Sequence, residues 1–356
     1  MKKGKLILKS GDSFDGYIFG AEKAGAGEVV FSTGMVGYGE SLTDPSYKEQ
    51  ILVFTYPLIG NYGIPADKKD KYGLSENFES DKIQVSGIVV SEYSQNYSHW
   101  HAKKSLGEWM EKAGIPGITG IDTRKLTKLI RTKGNMPAKI VVDGKEDIEL
   151  YDPNKTNLVA KVSVKKPITY GRGSKRVLLI DCGVKNNTIR CFAERGVTVR
   201  RVPWDYDFIK TKEKFDGLFL SNGPGDPAML TDLIERIKLV METKKPIWGI
   251  CLGNQLLAHA AGANTYKMKF GNRSQNQPCT DQQTGRCYMT TQNHSFVVDP
   301  KTLPKDWEIW FKNENDGTIE GIMHKKLPFS AVQFHPEAYP GPVDTQYLFD
   351  RFLKQL

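Results

Sequence analysis

The sequence predicts an α/β chain of two domains, an N-terminal α+β domain and a C-terminal domain built on a mostly parallel sheet flanked by helices. Three observations carry this. The chain has 356 residues, more than one hydrophobic core usually serves. Strand-like runs dominate residues 1–150, with only two clear helical periodicities. From residue 177 onward strands and helices alternate, which is the pattern of parallel sheets. Hydrophobic content of 39% and charged content of 26% fit an ordinary globular chain and exclude the disordered and membrane-spanning classes.

In the first part, "KLILKSGDSFDGYIFG" reads as two strands around a Ser-Gly-Asp turn. "EVVFSTGMVGYGESL" and "QILVFTYPLIGNYG" continue the apolar, glycine-punctuated pattern. "SLGEWMEKAGI" puts Leu106, Trp109, Met110 and Ala113 on one helical face and stops at Gly114. "DTRKLTKLIRTKG" starts from an Asp122 cap, groups Leu126, Leu129 and Ile130, and ends at Gly134. Residues 151–176 are polar and basic, with Pro153, Pro167, Gly171 and Gly173, the composition of an inter-domain connection. The second domain is then 177–356. "RVLLIDCG", "VTVRRVPW", "FDGLFL" and "PIWGI" are its buried strands. "NNTIRCFAERG", "LTDLIERIKLVMETKK" and "LGNQLLAHAAGA" are the helices between and after them.

The net charge is +9, but its distribution argues against a nucleic-acid surface. Residues 1–150 are balanced, and the excess concentrates in 151–176, read as a solvated basic linker. Five cysteines, an odd number with no Cys-x-x-Cys, fit neither a disulfide framework nor a zinc site. The run Leu6-Ile7-Leu8 is too short for a signal-peptide core, and no apolar stretch approaches the roughly 20 residues that span a bilayer. The expected location is the cytoplasm, with no membrane or nucleic-acid partner.

In such sheets, ligands bind beyond the carboxyl ends of the strands. Cys251 falls there, in "KPIWGICLGNQL". Gly249-Ile250-Cys251-Leu252-Gly253 is the sulfur counterpart of the Gly-x-Ser-x-Gly nucleophile elbow. Glycines on either side relieve contacts of a tight strand-to-helix turn. The helix N-terminus favours thiolate, and the Leu252 N–H can donate to an oxyanion. The competing reading is a core cysteine beside an apolar strand. A thiol nucleophile needs a base, and the base an orienting group. Of six histidines, His335 in "FSAVQFHPEA" ends a strand and is followed, across Pro336, by Glu337. A carboxylate beside imidazole fixes its tautomer and supports its charged form. His294 in "QNHSF" is a second histidine near the site; His99, His101, His259 and His324 read as surface or packing residues. "SNGPGDP", at the end of another strand, offers backbone N–H groups at Gly223 and Gly225, or is an ordinary turn.

"SNGPGDP", "GICLGNQ" and "FHPEA", in that order, resemble the class I glutamine amidotransferases. "GEVVFSTGMVGYGESLTDPSY", "TYPLIGNYG" and "GIDTRKLTKLIRTKG" are similar to the small-subunit family of carbamoyl-phosphate synthases, and the resemblance runs from end to end. It implies Cys251 as nucleophile, His335 as base and Glu337 as orienter. It implies an oxyanion hole from backbone groups of Gly223 and Leu252. Gly225, Gln255, Asn293, Ser295 and Phe296 match positions that hold glutamine, and Ser46 in "TDPSY" matches an N-terminal residue of the same pocket. The implied activity is glutamine hydrolysis through a thioester, with ammonia passed to a large synthetase subunit. That partner would hold ATP, Mg and bicarbonate and make carbamoyl phosphate for pyrimidine and arginine synthesis. No cofactor or metal is expected in this chain. Competing readings are a non-catalytic regulatory subunit, an amidotransferase serving another synthetase, and a cysteine peptidase. Three departures stand out: Asn254 replaces a histidine of many relatives, Ser295 a glycine, and "FGNRSQNQPC" with Arg273 a histidine-rich segment. Serine at 295 would be strained if that position needed positive φ.

Overall fold

The computed structural model describes residues 1–356. The chain forms two compact units, Met1–Thr156 and Asn157–Leu356.

The first unit is organised around a closed seven-stranded barrel. In barrel order its strands are Lys3–Leu8, Met136–Val142, Gly25–Ser32, Gln50–Phe54, Gly87–Val89, Pro116–Thr119 and Ser13–Gly20. The first two strands in the chain pair antiparallel, with Leu6 opposite Phe14, as the Ser-Gly-Asp turn predicts. Closure leaves no unpaired edge in the barrel. The helix Leu106–Ala113 begins with a complete capping box between Ser105 and Glu108 and ends at Gly114, whose φ of 70° only glycine adopts without cost. Leu106 and Met110 are buried, whereas Ala113 is exposed, so the apolar stripe is narrower than its spacing predicts. In the helix Thr123–Lys133, capped by Asp122, Leu126 and Ile130 are buried and Leu129 is only partly so. Ser46 lies in this unit, buried in the short turn Pro45–Tyr47, its N–H donating to Asp44 Oδ1 at 2.9 Å.

The second unit holds a ten-stranded sheet. Its parallel block runs Thr198–Pro203, Arg176–Asp181, Gly217–Leu220, Ile247–Ile250 and Phe329–Val332. Antiparallel strands extend it through Ile319–His324, Trp307–Asn313, Thr265–Asp281 and Cys287–Val298. Within the basic stretch 151–176, Ile168–Tyr170 forms the opposite edge strand, antiparallel to Thr198–Pro203. Successive residues of the parallel strands bury on opposite faces. Leu218, Leu220 and Ile247 join Ile237, Leu256 and Leu257 in one core cluster. Phe219 and Trp248 face the other way, into a cluster of edge-on rings with Phe192 and Phe349, whose centroids lie 4.8–6.1 Å apart. Both faces are covered, so these strands read as continuous apolar runs and the alternation has no polar half. No helix is long and apolar enough to cross a membrane.

Candidate active site

The strand Ile247–Ile250 runs straight into the helix Leu252–Ala261, and Cys251 is the single residue at the joint. Its φ of 55° and ψ of −106° lie outside the ordinary regions for a residue with a Cβ. The neighbouring glycines make this turn possible by yielding space. A Cβ on Gly249 would sit 2.6 Å from the Gly253 backbone, and one on Gly253 would overlap the Leu220 carbonyl oxygen. The elbow is pinned by the Cys251 N–H, which donates to Val332 O at 2.8 Å. The thiol is 2% exposed, and Sγ contacts Asn293 O at 3.7 Å. It stands at the N-terminus of a ten-residue helix, where unsatisfied N–H groups and the helix dipole favour negative charge.

The same strand pairing delivers the histidine. Ile250 is in register with Val332, so the chain leaves both strands side by side and His335 follows three residues later. His335 N donates to Thr291 O at 2.8 Å, two residues from the carbonyl that contacts the thiol. Its Nδ1 lies 2.6 Å from Glu337 Oε1, while Nε2, buried, has no hydrogen-bond partner. The carboxylate therefore accepts a hydrogen bond from Nδ1–H, which keeps that proton on Nδ1 and leaves Nε2 as the basic nitrogen. Glu337 is fully buried. Burial works against its charged form, but His335 and Lys185 outweigh burial and hold the carboxyl at about 2. Lys185 Nζ is 3.4 Å from Glu337 Oε1 and donates to Ala338 O at 2.5 Å; Asn187 Nδ2 donates to Glu337 O at 2.6 Å. Because the folded value is depressed below the usual 4.5, Glu337 stabilises the fold fully above that value and loses its contribution as pH falls toward about 2. Thermal melts should therefore show the stability gap between wild type and Glu337→Gln narrowing as pH drops from about 6 toward about 3. A gap that widens on acidification would mean that the carboxylate is not held charged.

The glycine loop lies at the end of the neighbouring strand Gly217–Leu220. A Cβ on Gly223 would overlap Cys182 O and come within 2.9 Å of Leu252 Cδ2, so only glycine brings this backbone beside Leu252. Gly225, at φ 89°, needs glycine for conformation. Asn222 braces the loop: its Nδ2 donates to Gly183 O at 3.0 Å, and its Oδ1 accepts from Lys185 N at 3.3 Å.

Gln255, one turn into the helix, donates from Nε2 to Phe296 O at 2.8 Å and to Gln333 Oε1 at 3.1 Å. Asn293 and Phe296 thus turn carbonyls toward the thiol and Gln255, respectively. Ser295 lies between them in the extended strand Cys287–Val298 and is not a left-handed residue, so the departure from glycine carries no backbone strain. Its hydroxyl accepts from Arg273 Nη2, and Arg273 Nη1 donates to Phe270 O at 2.9 Å, joining the two strands beside their register break. Asn254 is fully buried, its Nδ2 donating to Gln333 Oε1 at 3.3 Å.

The second unit thus brings together Cys251, Leu252, Gln255, Asn293, Ser295, Phe296, His335 and Glu337, with Gly223 beside Leu252 and Gly225 on the same loop. Ser46 belongs to the first unit. The sequence reading missed Lys185, Asn187 and Gln333. Lys185 and Asn187 follow the carboxyl end of a parallel strand, which was the available signal; Gln333 shares the strand-end segment of His335. Four other histidines lie elsewhere: His99 and His101 are exposed, His259 bonds Thr265 Oγ1 at 2.9 Å, and His324 pairs with Asp306 at 3.1 Å.

Residues 178–355 match the family described as Glutamine amidotransferase class-I, and residues 6–140 match Carbamoyl-phosphate synthase small chain, CPSase domain. The chain is 48% identical to the Carbamoyl phosphate synthase arginine-specific small chain of Saccharomyces cerevisiae, over 99% of this chain and 89% of that one. It is 50% identical to Multifunctional protein pyr1-3 of Dictyostelium discoideum and 52% identical to Multifunctional protein CAD of Squalus acanthias, over 99% and 98% of its own length. It spans 17% and 16% of those two longer relatives.

Proposed function

The chain belongs to the carbamoyl-phosphate synthase small-chain family, and from that premise we propose that it hydrolyses L-glutamine and passes the ammonia to a large synthetase subunit or domain. The observation that carries this reading is the buried Cys251 elbow with His335 and Glu337 on the adjoining strand end. Sγ attacks the side-chain carboxamide carbon of glutamine. The developing oxyanion is held by the N–H groups of Leu252 and Gly223. His335 Nε2 takes the thiol proton and returns it to the leaving nitrogen, so ammonia departs and a thioester remains. Water, deprotonated by the same nitrogen, then releases glutamate. Glu337 keeps the Nδ1 proton in place and stabilises the imidazolium formed in each step.

Both Gln255 amide hydrogens are engaged by Phe296 O and Gln333 Oε1, so its Oε1 remains to accept from the substrate's ammonium group. Asn293, Ser295, Phe296 and Gly225 complete the glutamine contacts that the second unit supplies. Synthesis of carbamoyl phosphate from bicarbonate, ammonia and ATP, with Mg, belongs to the partner. The first unit holds no triad residue, and its role is to dock that partner. The carbamoyl phosphate would serve pyrimidine or arginine synthesis, and the name of the arginine-specific relative supports the second use.

The test is mass spectrometry after treatment with a glutamine-derived electrophile. Cys251 alone should be modified, and free glutamine should protect it. Labelling of Cys182, Cys191, Cys279 or Cys287 in its place would overturn the reading. Asn254 has no part in proton transfer; Asn254→Ala should lower glutaminase turnover less than about tenfold, the cost of one neutral hydrogen bond and a small cavity. A loss matching that of His335→Asn would bring this position into the chemistry.

A further inference from the structure

We propose that Glu320 is a positioning residue for the glutamine pocket: it holds His294, and through it the segment Asn293–Phe296, in the arrangement that Cys251 and Gln255 use. The inference rests on the glutamine reading above.

Glu320 lies in the strand Ile319–His324, next to the strand that ends near His335, and is fully buried. Carboxylates are almost never so buried unless their charge is paired. Its side-chain partners are His294 Nε2, 3.4 Å from Oε1, and Thr318 Oγ1, which donates to Oε1 at 3.3 Å; Oε2 has none. Burial raises its proton affinity, Asp316 adds to that, and His294 and Thr318 pull the other way. The buried thiol of Cys279 is the other titratable group whose charge Glu320 affects.

The ring of His294 explains the need for this carboxyl. Nδ1 is 3.1 Å from Phe296 O, a pure acceptor, so Nδ1 carries a hydrogen. Nε2 faces two more oxygens, Gln292 Oε1 at 3.2 Å and Glu320 Oε1 at 3.4 Å. A lone pair there would meet only lone pairs. One proton shared between Nε2 and Oε1 resolves the conflict, whether it resides on the ring or on the carboxyl.

Two arms lead from this pair to the pocket. His294 fixes Phe296 O, which also receives Gln255 Nε2, and it adjoins Asn293, whose carbonyl contacts the thiol. On the other side, Glu320 O accepts from Gln333 N at 2.8 Å, and Gln333 Oε1 receives both Asn254 and Gln255. Gln255 is where the arms converge.

The experiment compares Glu320→Ala and Glu320→Gln in the full chain by steady-state glutaminase kinetics, with hydrogen exchange at the amides of 293–296. Loss of a charge-assisted bond should raise KM for glutamine about tenfold in Glu320→Ala with kcat changed less than about threefold. The glutamine side chain can donate to Nε2 of a neutral ring, so Glu320→Gln should return KM to within about threefold of wild type. Exchange at 293–296 should quicken in the alanine variant and not in the glutamine variant. Unchanged KM in Glu320→Ala, equal losses in kcat and kcat/KM, or failure of that variant to fold would each overturn the assignment. A wild-type chain that hydrolyses no glutamine would refute the proposed function instead, and the exchange data alone would then decide on Glu320.

Discussion

Cys251→Ser is expected to abolish glutamine-dependent synthesis in the complex with the large subunit while synthesis from added ammonium continues. The hydroxyl occupies nearly the same place at the elbow, so the change is chemical. A helix N-terminus favours the anionic form of a thiol; a serine hydroxyl is far less acidic and is the poorer nucleophile without a base tuned to it. Removing the nucleophile of such a unit commonly costs at least about 10⁴-fold. The buried setting of Cys251, its strained φ of 55° and its contact with Asn293 O serve one reacting atom, and no other cysteine occupies an elbow. The measurement is carbamoyl phosphate formation with glutamine or ammonium as nitrogen source. Glutamine hydrolysis retained by the serine variant would remove Cys251 from the mechanism.

His335→Asn should slow glutamine hydrolysis by about 10²–10⁴-fold, the usual contribution of a general base. Asparagine can keep a hydrogen bond to Glu337 but cannot cycle a proton at the position of Nε2, the buried atom with no other partner. Glu337→Gln should cost less, since the residue orients the ring and supports its charge without handling the transferred proton. The loss in His335→Asn should fall on kcat, whereas changes at His294 should fall on KM, because His294 braces the pocket wall through Phe296 O. If His294→Asn depressed kcat more than His335→Asn did, the base would have been misassigned.

Much of this was legible in the sequence because the signals are local. Gly249 and Gly253 around Cys251 announce a turn in which side chains would collide, and the structure shows which atoms they would strike. Pro336 between His335 and Glu337 forces an arrangement that needs no distant partner to be read. Asp122 and Gly114 are capping residues whose effect lies within one helical turn. The resemblance of the ordered motifs then gave roles to Gly223, Gln255, Asn293 and Phe296 that spacing alone left open.

By itself, then, the sequence determined the two-part organisation, the alternating elements of the second unit, the elbow and the His-Glu pair, because apolar period, turn residues and caps act over a few positions. Only the tertiary structure decided which strand ends meet. The register of Ile250 with Val332 sets the chain that leads to His335 beside the elbow, and sheet order places the loop after Asp181 against Glu337. That order made Lys185 and Asn187 part of the site and buried Glu320 against His294. A charge is affordable in the interior only beside its partner, and that partner lies 152 residues from Lys185 and 26 residues from Glu320, separations that no local pattern encodes.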